Sequence, residues 1–178
     1  MQKRLWLGMV CSSLIGFQGI VAAGEAARTA STSSKEFERI KQLAGRWEGM
    51  TRHGEGKEEL AVVEYKVTSG GSAVVETLFP GTPHEMVSVY HTDGQGKLSM
   101  THYCMIGNQP KLDLTQSDDN HVELSLASDS GIAPEAMHMH SLNVTWQDAD
   151  HLTQQWSSFD GGKPKETTTI RLSRARSS

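Results

Sequence analysis

Turn-forming clusters recur at short intervals along residues 45–173, and the apolar residues between them repeat with a period of two. The clusters are Ser69-Gly70-Gly71, Asp93-Gly94, Asp118-Asp119-Asn120, Asp148-Ala149-Asp150 and Asp160-Gly161-Gly162. A period of two is typical of a β-strand with one buried face, and clusters of Gly, Asp and Asn mark hairpin turns. No pattern of crossover helices and no internal repeat interrupts this series. The sequence therefore predicts an antiparallel meander.

The meander divides into ten strands. They are predicted over residues 46–53, 58–69, 72–79, 84–91, 97–106, 111–117, 121–128, 136–147, 151–159 and 165–173. Closing ten short strands into a ring removes the exposed edges of an open sheet. The predicted fold class is all-β, a single up-and-down antiparallel β-barrel of about ten strands.

One short amphipathic helix is predicted before the strands, over residues 34–44. Ser33 is followed three residues later by Glu36, which is a capping-box spacing. Its apolar face consists of Phe37, Ile40 and Leu43. We expect this face to close one end of the barrel.

The first 23 residues resemble an export signal. Lys3 and Arg4 precede a long apolar run that ends in small residues, as in a cleaved signal peptide. We therefore predict a signal peptide at 1–23, a flexible tether at 24–33 and a barrel domain at 34–175. A periplasmic or secreted location is expected, with no membrane insertion after cleavage.

Net charge restricts the classes of partner, and cysteine content restricts the covalent links that the chain can form. Without its first 23 residues the chain has 15 Lys and Arg against 21 Asp and Glu, a formal charge of −6. This balance argues against nucleic acid and anionic membranes as partners. Cys11 lies in the middle of the apolar run rather than near its end, so no lipid anchor is predicted. Cys104 is then the only cysteine after cleavage, which excludes an internal disulfide.

In a ten-strand meander, the loops after even-numbered strands gather at one end with the helix. The opposite end receives the longer loops, which are 53–57, 80–83, 107–110, 129–135 and 160–163. Binding residues favour such loops on a rigid scaffold. We expect the mouth of the barrel at this end.

Regular alternation assigns side chains to the inside of the mouth. On the fifth strand one face carries Leu98, Met100, His102, Cys104 and Ile106, and on the eighth one face carries His138, His140, Leu142, Val144 and Trp146. Since each face is mainly apolar, we expect both to line the lumen. The predicted ligand-binding residues are Met100, His102, Cys104, His138, His140 and Trp146.

Three interpretations of these His and Cys residues stay open. They can form hydrogen bonds with water and hydroxyl groups inside the barrel without binding any ligand. They can hold a transition metal or haem, with His102, Cys104 and His140 as the metal set. Cys104 can also act as a nucleophile with a histidine as base, although no orienting acid is evident and no catalytic residue is assigned. The run Met137-His138-Met139-His140 has ligand types that suit copper, but regular alternation sends its methionines and histidines to opposite faces.

A helix followed by Gly45-Arg46-Trp47 at the first strand, with Arg171 on the last strand, resembles the calycin group. This group comprises lipocalins, fatty-acid-binding proteins and nitrobindin-like barrels. The resemblance implies that Trp47 packs at the closed end against Arg171. The chain is also similar to uncharacterised secreted bacterial lipocalin-like proteins. No haem-ligand pattern of the nitrobindin-like barrels is present, so the resemblance implies no ligand.

These observations together predict a periplasmic or secreted barrel that binds a small, mainly apolar molecule at its mouth. A binding module is expected rather than an enzyme, and no cofactor is predicted. The alternative is a metal- or haem-binding protein, with or without enzymatic activity, that uses the same His and Cys residues.

Overall fold

Ten antiparallel strands close into a barrel in the computed structural model, which describes residues 33–176. The elements in chain order are α1 (Lys35–Lys41), β1 (Gly45–His53), β2 (Glu58–Thr68), a 3-10 turn (Ser69–Gly71), β3 (Ala73–Leu78), β4 (Met86–Thr92), β5 (Leu98–Tyr103), β6 (Lys111–Ser117), β7 (His121–Leu126), β8 (His138–Trp146), β9 (His151–Asp160) and β10 (Lys163–Arg174). Each strand pairs with its chain neighbours, and β1 closes the ring against β10. The predicted all-β barrel is confirmed.

The predicted strands all exist, with shifts of a few residues at their ends. The largest shift is in β5, which ends at Tyr103 because the N–H of Gly107 bonds to the carbonyl of Cys104 and starts a turn there. The expected signal peptide at 1–23, and the tether at 24–33 except Ser33, lie outside the described residues. No helix within residues 33–176 is long and apolar enough to cross a bilayer.

Helix α1 closes one end of the barrel, as predicted. Ser34, one residue later than the predicted capping residue, caps it by accepting a hydrogen bond from the N–H of Phe37 at 3.2 Å. Three apolar side chains of this region are almost fully buried in the core, namely Phe37, Ile40 and Leu43. Arg39 donates to the carbonyl of Asp118 at 2.8 Å, which ties the helix to the β6–β7 turn.

Trp47 lies at this closed end and is fully buried, and its indole N–H donates to the carbonyl of Leu43 at 2.7 Å. The guanidinium over its ring, 4.3 Å from the centroid, belongs to Arg174. The implied role of Arg171 is therefore wrong. Since Ile170 and Leu172 face the core, strand alternation turns Arg171 outward and turns Arg174 inward, directly opposite Trp47 in the register.

Candidate functional site

A pocket of about 200 Å³ opens at the end of the barrel away from α1, and we call it the mouth pocket. Its lining includes five sulfur-containing residues and one buried histidine, which are Met86, Cys104, Met105, Met137, Met139 and His102. Its other inner walls include Leu78, Phe79, Trp156, Ser158, Thr168 and Ile170. His53, Ile106 and Glu166 complete the lining. The pocket therefore lies at the predicted end and is mostly apolar.

His102 is the most deeply buried polar group of the pocket, at 1% exposed. It projects inward from β5, its ring lies 4.7 Å from the Trp156 ring, and its Nδ1 lies 3.0 Å from the Ser88 hydroxyl. Burial lowers the pKa of His102 to about 4, so the ring is neutral at pH 7. Within residues 33–176 no hydrogen bond engages its second ring nitrogen, Nε2.

Beneath the pocket, Glu76 forms the centre of a buried polar network. Its carboxylate accepts hydrogen bonds from the hydroxyls of Tyr65 at 2.7 Å and Tyr90 at 2.9 Å, and from the side-chain amide of Gln154. Burial raises the pKa of Glu76, while its hydrogen-bond donors, Ser88 among them, oppose that rise. Both oxygens of the Glu76 carboxylate therefore have hydrogen-bond donors inside the barrel.

Ser88 connects this network to His102. Ser88 lowers the pKa of the Glu76 carboxylate, as a hydroxyl that donates its one proton to that carboxylate does. The same oxygen then accepts from Nδ1–H of His102, which lies 3.0 Å away. This order of donors assigns the proton to Nδ1 and leaves an unprotonated Nε2 on a ring that lines the pocket.

A bulge in β8 changes which residues face the lumen. The register of β8 against β9 shifts between Met139 and Ser141. A bulge adds one residue to a strand and reverses the alternation beyond it. As a result Met137 and Met139 line the mouth pocket, whereas His140 lines a groove on the outer surface. The predicted inward orientation of His140 is therefore wrong.

His138 is on the same side as His140. It pairs in register with Phe159, and its buried ring places Nδ1 2.7 Å from the carbonyl oxygen of Ala136 and Nε2 3.1 Å from Nδ1 of His140. The His140 ring stacks on Phe159 with 3.7 Å between centroids. Partial burial, and secondarily His138, lower the pKa of His140. His138 is absent from the lining of the mouth pocket, so its predicted inward position is wrong as well.

The alternative metal set of His102, Cys104 and His140 does not converge, because the barrel wall separates His140 from the other two. Over residues 33–176, no group of three or more His, Cys, Asp or Glu side chains is arranged to hold a metal ion.

The remaining predicted residues separate along the barrel axis. Cys104 lines the mouth pocket, where its Sγ lies 4.0 Å from Sδ of Met86. Met100 is fully buried in the core and does not line the pocket. Trp146 is at the opposite end of β8, where the guanidinium of Arg39 lies 4.2 Å from its ring centroid. Of the predicted binding residues, the structure places His102 and Cys104 in the mouth pocket.

Sequence reasoning missed the methionines. Four of the six methionines within residues 33–176 line the mouth pocket, namely Met86, Met105, Met137 and Met139. Alternation identifies Met86, because it shares a face with the buried residues Ser88 and Tyr90. The other three lie in a loop or beside a bulge, where alternation gives no reliable signal.

The rim of the pocket is strained and apolar. Phe79, the residue directly after β3, has a φ of 54°, a left-handed conformation that is costly for an aromatic residue. Met105 is 56% exposed and Ile106 is 45% exposed. Strained backbone and exposed apolar side chains are more common at binding sites than elsewhere.

No family model matches the chain, and no curated protein matches it in sequence. The solved structures that share its fold include the following two. One is a protein of unknown function from the DUF3598 family of Nostoc punctiforme, with 12% identity and a TM-score of 0.55. The match covers 76% of this chain and 49% of that one, so this chain spans about half its length. The other is Rv2717c from M. tuberculosis, with 17% identity, a TM-score of 0.54 and coverage of 81% of this chain and 99% of that one. At such identities the similarity shows a common β-barrel fold.

Proposed function

We propose that this protein is an exported, calycin-like barrel that binds a small, mainly apolar molecule in the mouth pocket. The observation that carries the proposal is the pocket itself, which combines thioether and aromatic walls with the free Nε2 of His102. Ligand pockets are typically apolar with a few fixed polar groups that orient the ligand. The basic and apolar pattern of residues 1–23 supports export.

The volume restricts the ligand. An apolar cavity of about 150 Å³ accommodates benzene, and the mouth pocket measures about 200 Å³. The pocket therefore suits one substituted or fused ring rather than a whole long acyl chain. An unprotonated Nε2 on His102 favours a ligand that carries a hydrogen-bond donor.

Indole, a fused ring with one N–H donor, is a suitable probe. We expect saturable shifts of the methyl NMR signals of Met86, Met137 and Met139 in the purified protein, with no shift for Met50, which lies on β1 away from the pocket.

Two adjacent serines give a matched pair of variants. Ser158 lines the mouth pocket and Ser157 lines the outer groove. Filling the pocket with Ser158→Phe should abolish the indole shifts, whereas Ser157→Phe should leave them intact. Equal indole binding by both variants, or no saturable shift in the wild type, contradicts the proposal.

Export is tested separately. Mass spectrometry of the protein from its native compartment should find a chain that begins after Ala23.

A further inference from the structure

We propose that the mouth pocket also holds a soft monovalent metal ion, Cu(I), bound by the thiolate of Cys104, the thioether of Met86 and Nε2 of His102. This inference goes beyond small-molecule binding and does not depend on it.

The two sulfur atoms have the spacing that a shared ion requires. Cys104 Sγ and Met86 Sδ lie 4.0 Å apart. Two sulfurs that each lie about 2.3 Å from one metal are about 3.8 Å apart at a tetrahedral angle and about 4.0 Å apart at a trigonal angle. An ion can therefore bind between them with little movement of either side chain.

The position of His102 independently supports it as the third ligand. Its side chain lines the same pocket, is 1% exposed, and has no partner at Nε2 among the described residues. Ser88 contacts its other ring nitrogen, and Ser88 in turn is linked to Glu76. Metal-binding histidines typically have such a partner at the second nitrogen, which fixes the tautomer and the ring orientation.

The surrounding groups select for a soft ion. Met105, Met137 and Met139 add thioethers to the lining, and among the described residues Glu166 is its only carboxylate. Thiolate and thioether ligands favour Cu(I), whereas Ca²⁺ requires six to eight oxygen ligands. Cys104 is partly exposed, so an ion can reach it from solvent. Binding converts the thiol to a Cu(I)-bound thiolate and releases one proton, with no change in oxidation state.

The test is an anaerobic Cu(I) competition titration against a chromophoric chelator, with the full chain. The chain has a second cysteine, Cys11, so every protein carries Cys11→Ser and has Cys104 as its only thiol. We expect one Cu(I) per chain and a shift of the Met86 methyl signal.

A lone thiol also binds Cu(I), so the decisive variants leave Cys104 in place. Met86→Leu and His102→Gln should each weaken Cu(I) binding at least tenfold, and Cys104→Ser should abolish it. The matched controls are Met50→Leu and His140→Gln, both outside the pocket, and they should bind as the parent does.

Affinities of Met86→Leu and His102→Gln within twofold of the parent would overturn the proposal, as would the absence of Cu(I) uptake. Circular dichroism and urea denaturation show whether each variant retains the native fold. In the parent protein, Cu(I) uptake without indole binding contradicts the proposed function alone. Indole binding without Cu(I) uptake contradicts this inference alone.

Discussion

Arg174 and Arg171 offer a direct test of how the closed end of the barrel is held together. Arg174 lies over the Trp47 ring and donates to the carbonyls of Ala44 at 3.1 Å and Gln42 at 3.0 Å. Arg171 lies three residues earlier on the same strand but faces outward, where it pairs with Glu58. Replacing each arginine by methionine removes the charge and the hydrogen-bond donors and keeps much of the apolar stem.

The expected costs differ because the surroundings differ. A partly desolvated cation–π contact contributes about 1–2 kcal/mol, and the hydrogen bonds of a group that is 31% exposed add about 1 kcal/mol. Arg174→Met should therefore lower the free energy of unfolding by about 2–3 kcal/mol. Arg171 is 56% exposed, and a surface ion pair is worth at most about 1 kcal/mol. Arg171→Met should therefore lower the free energy of unfolding by at most about 1 kcal/mol.

Urea denaturation followed by far-UV circular dichroism measures both values, with an expected midpoint shift of about 1 M for Arg174→Met. A double-mutant cycle with Trp47→Leu should give a coupling energy near 1 kcal/mol for Arg174 and near zero for Arg171. Equal losses for the two arginine variants would refute the assignment of Arg174 as the partner of Trp47.

Three further predictions follow from burial and backbone contacts. In the metal-free protein, the stability advantage of wild type over His102→Gln should fall by up to about 3 kcal/mol as the pH drops from 6.5 to about 4. The reason is that the His102 ring takes up a proton near pH 6.5 in the unfolded chain and only near pH 4 in the native protein. A difference in urea denaturation that stays constant across this range contradicts the burial argument. Gly49→Ala should lower the free energy of unfolding by more than about 3 kcal/mol or prevent folding, because its Cβ would lie 1.8 Å from the carbonyl oxygen of Arg171. The control is Gly94→Ala, whose thermal melt should match wild type because a Cβ at Gly94 meets nothing within 4 Å. Phe37→Ala should cost about 3–5 kcal/mol and increase binding of a hydrophobic dye at the helix-covered end, and unchanged stability would show that α1 does not seal the core.

The strand count and the closed end follow from local sequence signals. Turn residues such as Gly161 and Gly162 adopt positive φ values of 59° and 73°, which only glycine tolerates easily. Apolar alternation between such turns specifies each strand, and a meander of short strands has few other ways to remove its edges. The apolar face of α1 could be predicted in the same way, because apolar residues repeating every 3.6 positions indicate a helix face without any tertiary information.

The partner of Trp47 required the register between distant strands. Arg171 and Arg174 are both near the end of β10, and the resemblance to lipocalins indicated the wrong one of the two. Only the pairing of Trp47 with Arg174 across the closure of the barrel places the second guanidinium over the ring.

The lining of the mouth was decided by tertiary structure. Counting back in steps of two from Leu142 and Val144 predicts that His138 and His140 face inward, and this holds only while β8 is regular. The bulge before Ser141 reverses the alternation, so the more apolar Met137 and Met139 enter the lumen while the histidines pack outside against Phe159. A bulge arises from how two neighbouring strands share hydrogen bonds and twist, and neither strand carries that information alone. For His102 and Cys104 no bulge intervenes in β5, and for this reason alternation in the sequence was sufficient to place both in the pocket.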